Sequence, residues 1–254
     1  MAKTLKKNIP PTLTENFQRY FSVDLATTQE QKNAVYHIRY RVYCDEFHYE
    51  AADRFPDERE FDDYDDNSLH CLITHRSGMP AGCVRLILTN GDRDENPLPY
   101  EKLCGESLDR QSIDSLNLER NTVCEISRLA VDGAFRKRSG ETLTRFGDRG
   151  AIDCSHEEQR AFSLIAVAGF LACTAMGKLS GRTNAFALME PFLPRLVKRS
   201  GIILERVGKD VSYHGIRAPY YISYQSAMDN MHTDLKELYD AIHGKIESTY
   251  LKSV

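Results

Sequence analysis

The residues best suited to chemistry lie in one strand-like run over residues 124–132, with the sequence Cys-Glu-Ile-Ser-Arg-Leu-Ala-Val-Asp. Glu125, Ser127 and Arg128 place a carboxylate, a hydroxyl and a guanidinium among β-favouring and small apolar residues. Such groups serve in proton transfer and in charge pairing. Strand interiors are depleted in charge, and a charge taken into a core must be paired or hydrogen-bonded. The run therefore predicts charged partners elsewhere in the chain.

Complementary side chains occur in three other stretches of the sequence. They are Arg39 and Tyr43 on a predicted helix, Glu60, Asp62 and Asp65 in a charged loop, and Arg85 inside a predicted strand. Arg39 and Tyr43 stand at i and i+4, so we expect the guanidinium to lie over or beside the ring. Two interpretations of the whole set remain open. It forms a structural network of salt bridges that closes the loop over the sheet, or it forms a functional site.

Apolar periodicity and turn residues predict an alternation of strands and helices. Helices are expected over residues 28–47, 99–103, 157–178 and 192–199, and strands over 68–74, 81–89, 124–132, 184–189, 202–207 and 213–222. This order predicts an α/β fold, a mixed sheet with helices on its faces. We divide the chain into a flexible N-terminal tail (1–13), a single domain (14–226) and a C-terminal amphipathic helix (227–254) that packs on the domain.

Composition excludes several classes of protein. The formal net charge is −4 and the pI about 6.1, and no basic stretch is interleaved with aromatics, so we expect no nucleic-acid partner. The seven cysteines contain no C-x-x-C pair and are interpreted as small apolar residues in a reducing compartment, not as a disulfide frame or metal site. The apolar stretch 161–176 is shorter than a membrane span and predicts a buried helix. A soluble, cytoplasmic protein is expected.

Four short patterns between residues 39 and 131 follow the order and approximate spacing of one family. They are Arg39-x-x-x-Tyr43-x-x-x-x-x-Tyr49, Glu60-x-Asp62-x-x-Asp65, Gly82-x-x-Arg85-Leu86 and Glu125-x-Ser127-Arg128-Leu129-Ala130-Val131. Together they resemble the acyl-homoserine-lactone (autoinducer) synthases. The run over 39–47 looks closer still to the N-acyl amino acid synthases and to the acyltransferases associated with the PEP-CTERM/exosortase system. All of these resemble the GCN5-related N-acyltransferase fold, a mixed, mostly antiparallel central sheet flanked by helices.

The resemblance implies an N-acyltransferase and a role for each matched residue. Glu125 is the candidate general base for an amine, and Ser127, on the same strand face, is placed to hydrogen-bond the amine or a relay water. Backbone N–H groups from Leu129 to Val131 are expected to hold the thioester oxygen where the strand splays from its neighbour. A bulge there would turn Arg128 toward the loop acids. The residues implied to bind substrate are Arg39, Tyr43, Tyr49, Asp62, Asp65, Arg85 and Arg128.

Two aromatic positions depart from the lactone-synthase pattern. Tyr43 replaces the usual Phe and Tyr49 replaces a Trp, and the chain has no Trp at all. In the family these aromatics help to enclose the sulfonium substrate. We therefore expect the α-amine of an amino acid to be the acceptor, with S-adenosylmethionine as the alternative.

The donor is predicted from the segment that follows the chemical strand. Acetyl-CoA-using members of the fold carry [QR]-x-x-G-x-[GA] there, whereas residues 136–141 (Arg-Lys-Arg-Ser-Gly-Glu) miss both glycine positions. A cationic patch remains, formed by Arg136, Lys137, Arg138, Arg145 and Arg149. Such a patch suits an acidic acyl carrier protein, although an ordinary solvated basic turn has the same composition. The co-substrate is then an acyl-phosphopantetheine thioester, with acyl-CoA as the alternative, and we expect the acyl chain to lie between the sheet and the helix at 161–176.

Other interpretations stay open at this stage. A catalytically silent sensor of acyl lipids or acyl carriers fits the same fold. Cys124 adjoins Glu125 but falls on the opposite strand face, and no histidine lies near it in sequence, so a cysteine nucleophile is disfavoured. No tightly bound cofactor and no metal is expected. A homodimer is compatible with the sequence, which does not reveal the oligomeric state.

Overall fold

The computed structural model describes residues 11–91, 95–136, 158 and 161–253. These residues form one eight-stranded sheet with the order β1-β2-β3-β4-β5-β8-β6, in which β7 pairs with β8. Neighbouring strands run antiparallel except β4 and β5, which run parallel. The strands are β1 (Phe21–Leu25), β2 (Ser68–His75), β3 (Pro80–Leu88), β4 (Val123–Val131), β5 (Asn184–Met189), β6 (Glu205–Arg206), β7 (Val211–Ser212) and β8 (Ile216–Ser223). The predicted mixed, mostly antiparallel α/β fold is confirmed.

Helices flank this sheet, and the structure gives their bounds. They are α1 (Leu13–Tyr20), α2 (Gln29–Arg39), α3 (Pro99–Cys104), α4 (Arg110–Ser115), α5 (Ile165–Leu179), α6 (Leu193–Lys198), α7 (Tyr224–Asn230) and α8 (Thr233–Ser253). Thr28 caps α2 and forms a capping box with Gln31, as the sequence predicts.

The end of the predicted 28–47 helix has a different geometry. After Arg39 the chain continues as a π-helix, Tyr40–Glu46, in which the Phe47 N–H donates to the Val42 carbonyl five residues back at 3.1 Å. A π-turn is wider than an α-turn, so residues at i and i+4 no longer lie one above the other. The π-helix therefore changes which side chains the end of this helix can bring together.

The two faces of the sheet carry different elements. On β3, Val84 and Leu86 belong to the core cluster that includes α5, while Cys83 belongs to the cluster that includes α2. Successive side chains of β3 therefore point to opposite faces of the sheet. Helix α5 is apolar on every side because it lies between the sheet and α8. Among the described residues, no helix is long and apolar enough to cross a membrane.

Strand β4 has two halves with different neighbours. Its first residues pair with β5 from Val123 to Glu125, and that pairing then stops. On the other edge, the ladder with β3 shifts register between Cys83 and Arg85, and Arg128 adopts a φ of +51°. These are the features of a β-bulge. The expected splay and bulge are therefore both present in β4.

The two ends of the chain differ from the sequence predictions. The expected tail over 1–13 gives way to α1 at Leu13, and α1 leads directly into β1, which the sequence analysis missed. The single helix expected from residue 227 is two helices, because the chain is extended at Met231 (φ −64°, ψ 134°). The interruption packs against Gly201, where a Cβ atom would lie 2.1 Å from the Asn230 carbonyl oxygen. The expected packing of this segment holds for α8, since its apolar stripe is buried on the domain.

Candidate active site

A cluster of buried ion pairs lies at the centre of the site, beginning with Arg39 at the end of α2. Its guanidinium is fully buried and donates to Glu60 and, at 2.7 Å, to Asp65. The expected contact with Tyr43 is wrong. The guanidinium lies instead over the Tyr36 ring, 5.4 Å from its centroid, because the π-turn after Arg39 carries Tyr43 out of line.

Arg85 extends the cluster from β3 toward β4. Its Nη1 lies 2.6 Å from an Asp62 oxygen and 2.9 Å from an Asp65 oxygen, and its Nε donates to the Ser127 hydroxyl at 3.0 Å. Asp65 thus bridges Arg39 and Arg85, while Asp62 serves Arg85 and not Arg39. The two aspartates therefore contact different arginines of the cluster, and both contact Arg85.

Arg128 completes the cluster because the bulge in β4 turns its side chain toward the loop. Its Nη2 lies 3.0 Å from Glu60 and 3.3 Å from Asp62, and its guanidinium lies 5.3 Å from the centroid of the Tyr43 ring. Glu60 therefore joins Arg39 to Arg128. The sequence analysis named Glu60 in its motif but gave it no role at the site. In the structure its carboxylate pairs with both Arg39 and Arg128.

The charges of this cluster are stabilised by one another. Burial alone would raise the pKa of Glu60, but the guanidinium groups of Arg39 and Arg128 more than offset it and lower the pKa to about 2. For Asp65, the opposing effect of burial is likewise overcome by Arg39 and Arg85, which hold its pKa well below the usual range. The predicted salt-bridge network therefore exists, and Glu60 and Asp65 stay ionised at neutral pH.

A cavity of about 280 Å³ opens beside the network. Among the residues that line it, six were predicted from the sequence: Tyr43, Asp62, Arg85, Glu125, Ser127 and Arg128. Asp65 and Arg39 lie behind this lining and support it. The network and a cavity able to hold a small molecule thus occupy the same place, so the two open interpretations describe one structure.

Glu125 is the buried acid of the cavity. It is 2 % exposed, and its Oε2 accepts a hydrogen bond from the Tyr100 backbone N–H at 2.9 Å. Burial is the largest influence and raises the pKa of Glu125 to about 8, while the Tyr100 hydrogen bond and the more distant Arg85 act against it. A carboxyl group with such a pKa exchanges a proton near neutral pH.

Ser127 lies between the cavity and a second opening. Its hydroxyl oxygen accepts from Arg85, so its hydrogen can be donated to a molecule in the cavity. The second opening, about 60 Å³, is a notch where β4 and β5 diverge, and Ser127 lines both spaces. Several of the side chains that line this notch are apolar: Ile126, Leu129, Phe170, Met189, Phe192 and Leu193.

Backbone groups of β4 face the same notch. Asp132 donates its N–H to Ala81 on the preceding strand at 2.9 Å. Because successive N–H groups of a strand point to opposite edges, the Val131 N–H points to the edge that β5 leaves uncovered. The Leu129 carbonyl accepts from the Tyr43 hydroxyl at 3.2 Å. Leu129 therefore lines the notch, whereas Val131 is not among its lining residues and only its N–H points to the uncovered edge.

The far wall of the cavity is formed by residues that the sequence analysis did not predict, and Tyr49 packs against one of them. Tyr49 does not line the cavity itself; its ring packs edge-on against His214 with centroids 5.0 Å apart. The lining residues that the sequence analysis missed are Tyr64, Pro99, Lys102, Leu103, Leu188, Tyr213, His214 and Arg217. Most lie on α3 or the β7–β8 hairpin, far in sequence from the motifs, and no local pattern marked them.

The predicted cationic patch has one described member. Arg136 is buried, pairs with Glu46 and lies 5.0 Å from the centroid of the Phe47 ring. Because it is buried, Arg136 is not part of an exposed cationic surface. Its guanidinium pairs with Glu46 of the π-helix instead. Lys137, Arg138, Arg145 and Arg149 lie outside the described residues.

The environment of Cys124 decides whether its thiol can act as a nucleophile. Cys124 is buried, and its thiol donates to the Arg182 and Asn184 carbonyls at 3.6 Å, while burial raises its pKa well above the usual range. These properties describe an inert thiol. Within residues 11–91, 95–136, 158 and 161–253, no group of three or more His, Cys, Asp or Glu residues is arranged to hold a metal ion.

Comparison with known proteins agrees with this geometry. The model of the acetyltransferase (GNAT) domain family matches residues 38–145, which include both the charged cluster and β4. No curated protein matches the chain. Among solved structures, BjaI, a CoA-dependent acyl-homoserine lactone synthase solved with SAM and isopentyl-CoA, superposes with a TM-score of 0.54 at 17 % identity, covering 87 % of this chain and 89 % of BjaI.

Two further structures share the fold. The AHL synthase LasI superposes with a TM-score of 0.53 at 14 % identity, over 84 % of this chain and 96 % of LasI. FeeM, an N-acyl amino acid synthase from uncultured soil microbes, gives a TM-score of 0.52 at 8 % identity, over 83 % of this chain and 94 % of FeeM. Residues 38–145 thus match the acetyltransferase (GNAT) domain family, and the chain has the fold of these synthases.

Proposed function

We propose that this protein is an N-acyltransferase that moves a fatty acyl group from an acyl carrier protein thioester to the α-amine of an amino acid. The observation that carries the proposal is the position of Glu125 and Ser127. Glu125 is a buried acid at the wall of a polar cavity, and Ser127 lies where that cavity meets the notch between β4 and β5. An amine in the cavity can meet a thioester in the notch at Ser127.

Glu125 is assigned the role of general base. An α-ammonium group has a pKa of about 8, so at neutral pH a base must take its proton before nitrogen can attack. Burial raises the pKa of Glu125 to about 8, which makes it a stronger base than an ordinary carboxylate. The nitrogen attacks the thioester carbonyl carbon, the carbon–sulfur bond breaks, and the thiol leaves. The ammonium proton passes to Glu125 directly or through a water held by Ser127, and the second proton that nitrogen loses on forming the amide protonates the leaving sulfur.

The negative charge that develops on the thioester oxygen needs hydrogen-bond donors. We assign this role to backbone N–H groups between Leu129 and Val131, because the Val131 N–H points to the uncovered edge of β4. The tie between the Tyr43 hydroxyl and the Leu129 carbonyl holds this part of the strand in place. Tyr43 is thus proposed to position the donors as well as to line the cavity.

The charged cluster is proposed to shape the cavity and to meet the acceptor's ammonium group. Asp62 is its most accessible acid, with a side chain 28 % exposed, and it faces the cavity. Arg39, Asp65 and Arg85 are buried and hold the loop that carries Asp62. Asp62 can therefore contact a ligand while the remaining members keep its position fixed.

An acyl carrier protein is our proposed donor, on the basis of the sequence of the segment after β4. The absence of both glycines over residues 136–141 disfavours a close approach to the pyrophosphate of CoA. Lys137, Arg138, Arg145 and Arg149 supply positive charge for an acidic carrier. Reversing these four charges should raise KM for the acyl carrier protein and leave KM for the amine unchanged. Reversal of the exposed Arg110 serves as the control.

An acyl-homoserine-lactone synthase is the second candidate function. The four motifs and the superposition on BjaI, which was solved with SAM, favour it. Tyr43 and Tyr49 stand against it, because they replace the Phe and Trp of the lactone-synthase pattern.

Product analysis distinguishes the candidates. The purified protein is incubated with mixed acyl carrier proteins or acyl-CoAs and with amino acids or S-adenosylmethionine, and the products are analysed by mass spectrometry. An N-acyl amino acid formed from the carrier protein supports the proposal. A homoserine lactone transfers the function to the second candidate. If no acylated product forms with any pair, the protein is not an acyltransferase of these substrates, and a sensor of acyl groups becomes the better account.

A further inference from the structure

The cavity contains several cationic groups, and two of them already serve its own acids. Arg85 binds Asp62 at 2.6 Å, and Arg128 binds Asp62 at 3.3 Å. These pairs hold the loop to the sheet, so their guanidinium groups have a structural task. The amino acid acceptor proposed above is a zwitterion, and its carboxylate needs a cation in addition to the acid that meets its ammonium group.

Arg217 supplies a guanidinium from a different part of the sheet. It is the second residue of β8 and is only 9 % exposed, yet it lines both the cavity and the notch. It shares this double position with Tyr43, Ser127, Arg128 and Leu188. Arg217 therefore reaches the junction where the amine and the thioester are expected to meet.

The surroundings of Arg217 hold its side chain in a defined position. Its Nε donates to the Tyr213 carbonyl at 2.8 Å, and its guanidinium carbon lies 5.9 Å from the ring centroids of both Tyr49 and Tyr213. The hairpin that carries these contacts turns tightly at His214, which has a φ of +49°. A planar guanidinium fixed in this way is suited to bind a carboxylate through two parallel hydrogen bonds.

Arg217 differs from the other arginines of the cavity in the element that carries it, since Arg85 lies on β3 and Arg128 on β4. Asp62, Glu125 and Ser127 come from the loop and from β4, whereas Arg217 comes from β8. An α-amino acid has its ammonium and carboxylate groups on one carbon atom. With the ammonium group near Ser127 and Glu125, its carboxylate lies in the same cavity as Arg217.

We propose that Arg217 binds the α-carboxylate of the acceptor and thereby restricts the enzyme to amines that carry a neighbouring carboxylate. This inference rests on the proposed function. It holds equally for an amino acid and for S-adenosylmethionine, since both contain the same α-amino acid group. It assigns a specificity role to the β7–β8 hairpin, which lies outside all four sequence motifs.

The test compares amino acids with their carboxamides, which keep the amine but lose the negative charge. Acylation of both sets is measured for the wild type, Arg217→Met, Arg217→Lys and the control Arg206→Met. Arg206 is an exposed arginine of β6 that pairs with Asp210 and does not line the cavity. Comparing the acid-to-amide ratio between variants cancels the difference in amine reactivity.

For Arg217→Met, we expect kcat/KM for the acids to fall by about 10- to 100-fold through KM, with little change for the amides. Arg217→Lys should recover part of the loss, and Arg206→Met should behave as the wild type. An equal fall for acids and amides, or no fall at all, would overturn the inference. If the wild type acylates no amine, titration calorimetry with the same compounds tests whether Arg217 binds the carboxylate. Binding of acids that Arg217→Met abolishes supports the carboxylate site, whereas equal binding by both proteins, or none by either, refutes it.

Discussion

Two glutamates of this protein are almost equally buried but have opposite proton affinities. Glu60 is 1 % exposed and Glu125 is 2 % exposed. Glu60 lies between the guanidinium groups of Arg39 and Arg128, which lower its pKa to about 2. Glu125 accepts one hydrogen bond from the Tyr100 backbone, and burial raises its pKa to about 8. Burial acts in the same direction on both carboxyl groups, and the neighbouring arginines overcome it only at Glu60.

The comparison separates the structural part of the site from the chemical part. Ionised Glu60 fastens the loop and α2 to β4, and no proton transfer near neutral pH is available from it. Glu125, at the cavity, is able to gain or lose a proton in that range. Both roles use glutamate on neighbouring elements, and the placement of Arg39 and Arg128 beside Glu60 distinguishes them.

Removal of the Glu60 charge should have the largest effect on stability. In Glu60→Gln, the buried Arg39 and Arg128 lose their shared partner, and we expect the free energy of unfolding to fall by about 3–5 kcal/mol. Urea denaturation at pH 7 measures this change. Glu119→Gln, at an exposed position, is the control and should lie within about 0.5 kcal/mol of the wild type. A Glu60→Gln protein as stable as the control would show that the cluster contributes nothing to folding.

At Glu125, removal of the ionisable group is expected to raise the relative stability as the pH increases, whereas at Glu60 it lowers the stability. The unfolded chain ionises this group near its ordinary pKa of 4.5, while the folded protein retains the proton up to about 8. Its contribution to stability is therefore complete below 4.5 and is lost as the pH rises through 8. Glu125→Gln cannot ionise, so its stability relative to the wild type should increase by about 3–5 kcal/mol between pH 4.5 and pH 9. A constant difference across this range would mean that the pKa of Glu125 is not raised.

Coupling energies should reveal how the cluster is connected. In a double-mutant cycle, Arg39→Met and Asp65→Asn should show a coupling of about 1–3 kcal/mol, because these side chains meet at 2.7 Å. Arg39→Met and Asp62→Asn should couple by less than about 1 kcal/mol, since Asp62 pairs with Arg85 and Arg128 instead. Unfolding free energies of the single and double variants provide both values. A larger coupling for Asp62 would contradict the observed pairing.

The smallest effect is expected at Cys124, the neighbour of Glu125. Its thiol is buried on the other side of β4 and donates to backbone carbonyls. Cys124→Ala should lower the free energy of unfolding by about 1 kcal/mol. It should change kcat by less than about tenfold, which corresponds to less than about 1.4 kcal/mol of activation free energy. Steady-state acylation assays provide the test. A loss of all activity in a folded variant would make Cys124 a nucleophile and remove the contrast with Glu125.

The sequence alone was sufficient for the parts of the fold that local patterns encode. The capping box at Thr28, the strands β2, β3 and β5, and the apolar helix α5 follow from composition and periodicity. The turning of Arg128 toward the loop acids was also predictable, because a charge in a strand interior requires a partner.

The remaining features depend on tertiary contacts. The acids of the charged loop have no periodicity, so the sequence did not reveal that Glu60 and Asp65, rather than Asp62, would meet Arg39. Because the chain forms a π-helix after Arg39, Tyr43 does not lie beside that guanidinium, and no local sequence pattern predicts such a turn. Arg217 lies about 90 residues after β4 in the chain, and only the folding of β8 into the sheet brings it to the cavity.

The most direct test of the account is the pH dependence of acyl transfer by the wild type and by Glu125→Gln. For the wild type, kcat/KM should rise with pH and level off above about 8, where Glu125 is ionised. Glu125→Gln should remain folded and lose about 10²–10⁴-fold in turnover, without the Glu125 titration. A folded Glu125→Gln enzyme with wild-type turnover and the same pH profile would contradict the assignment of Glu125 as the base.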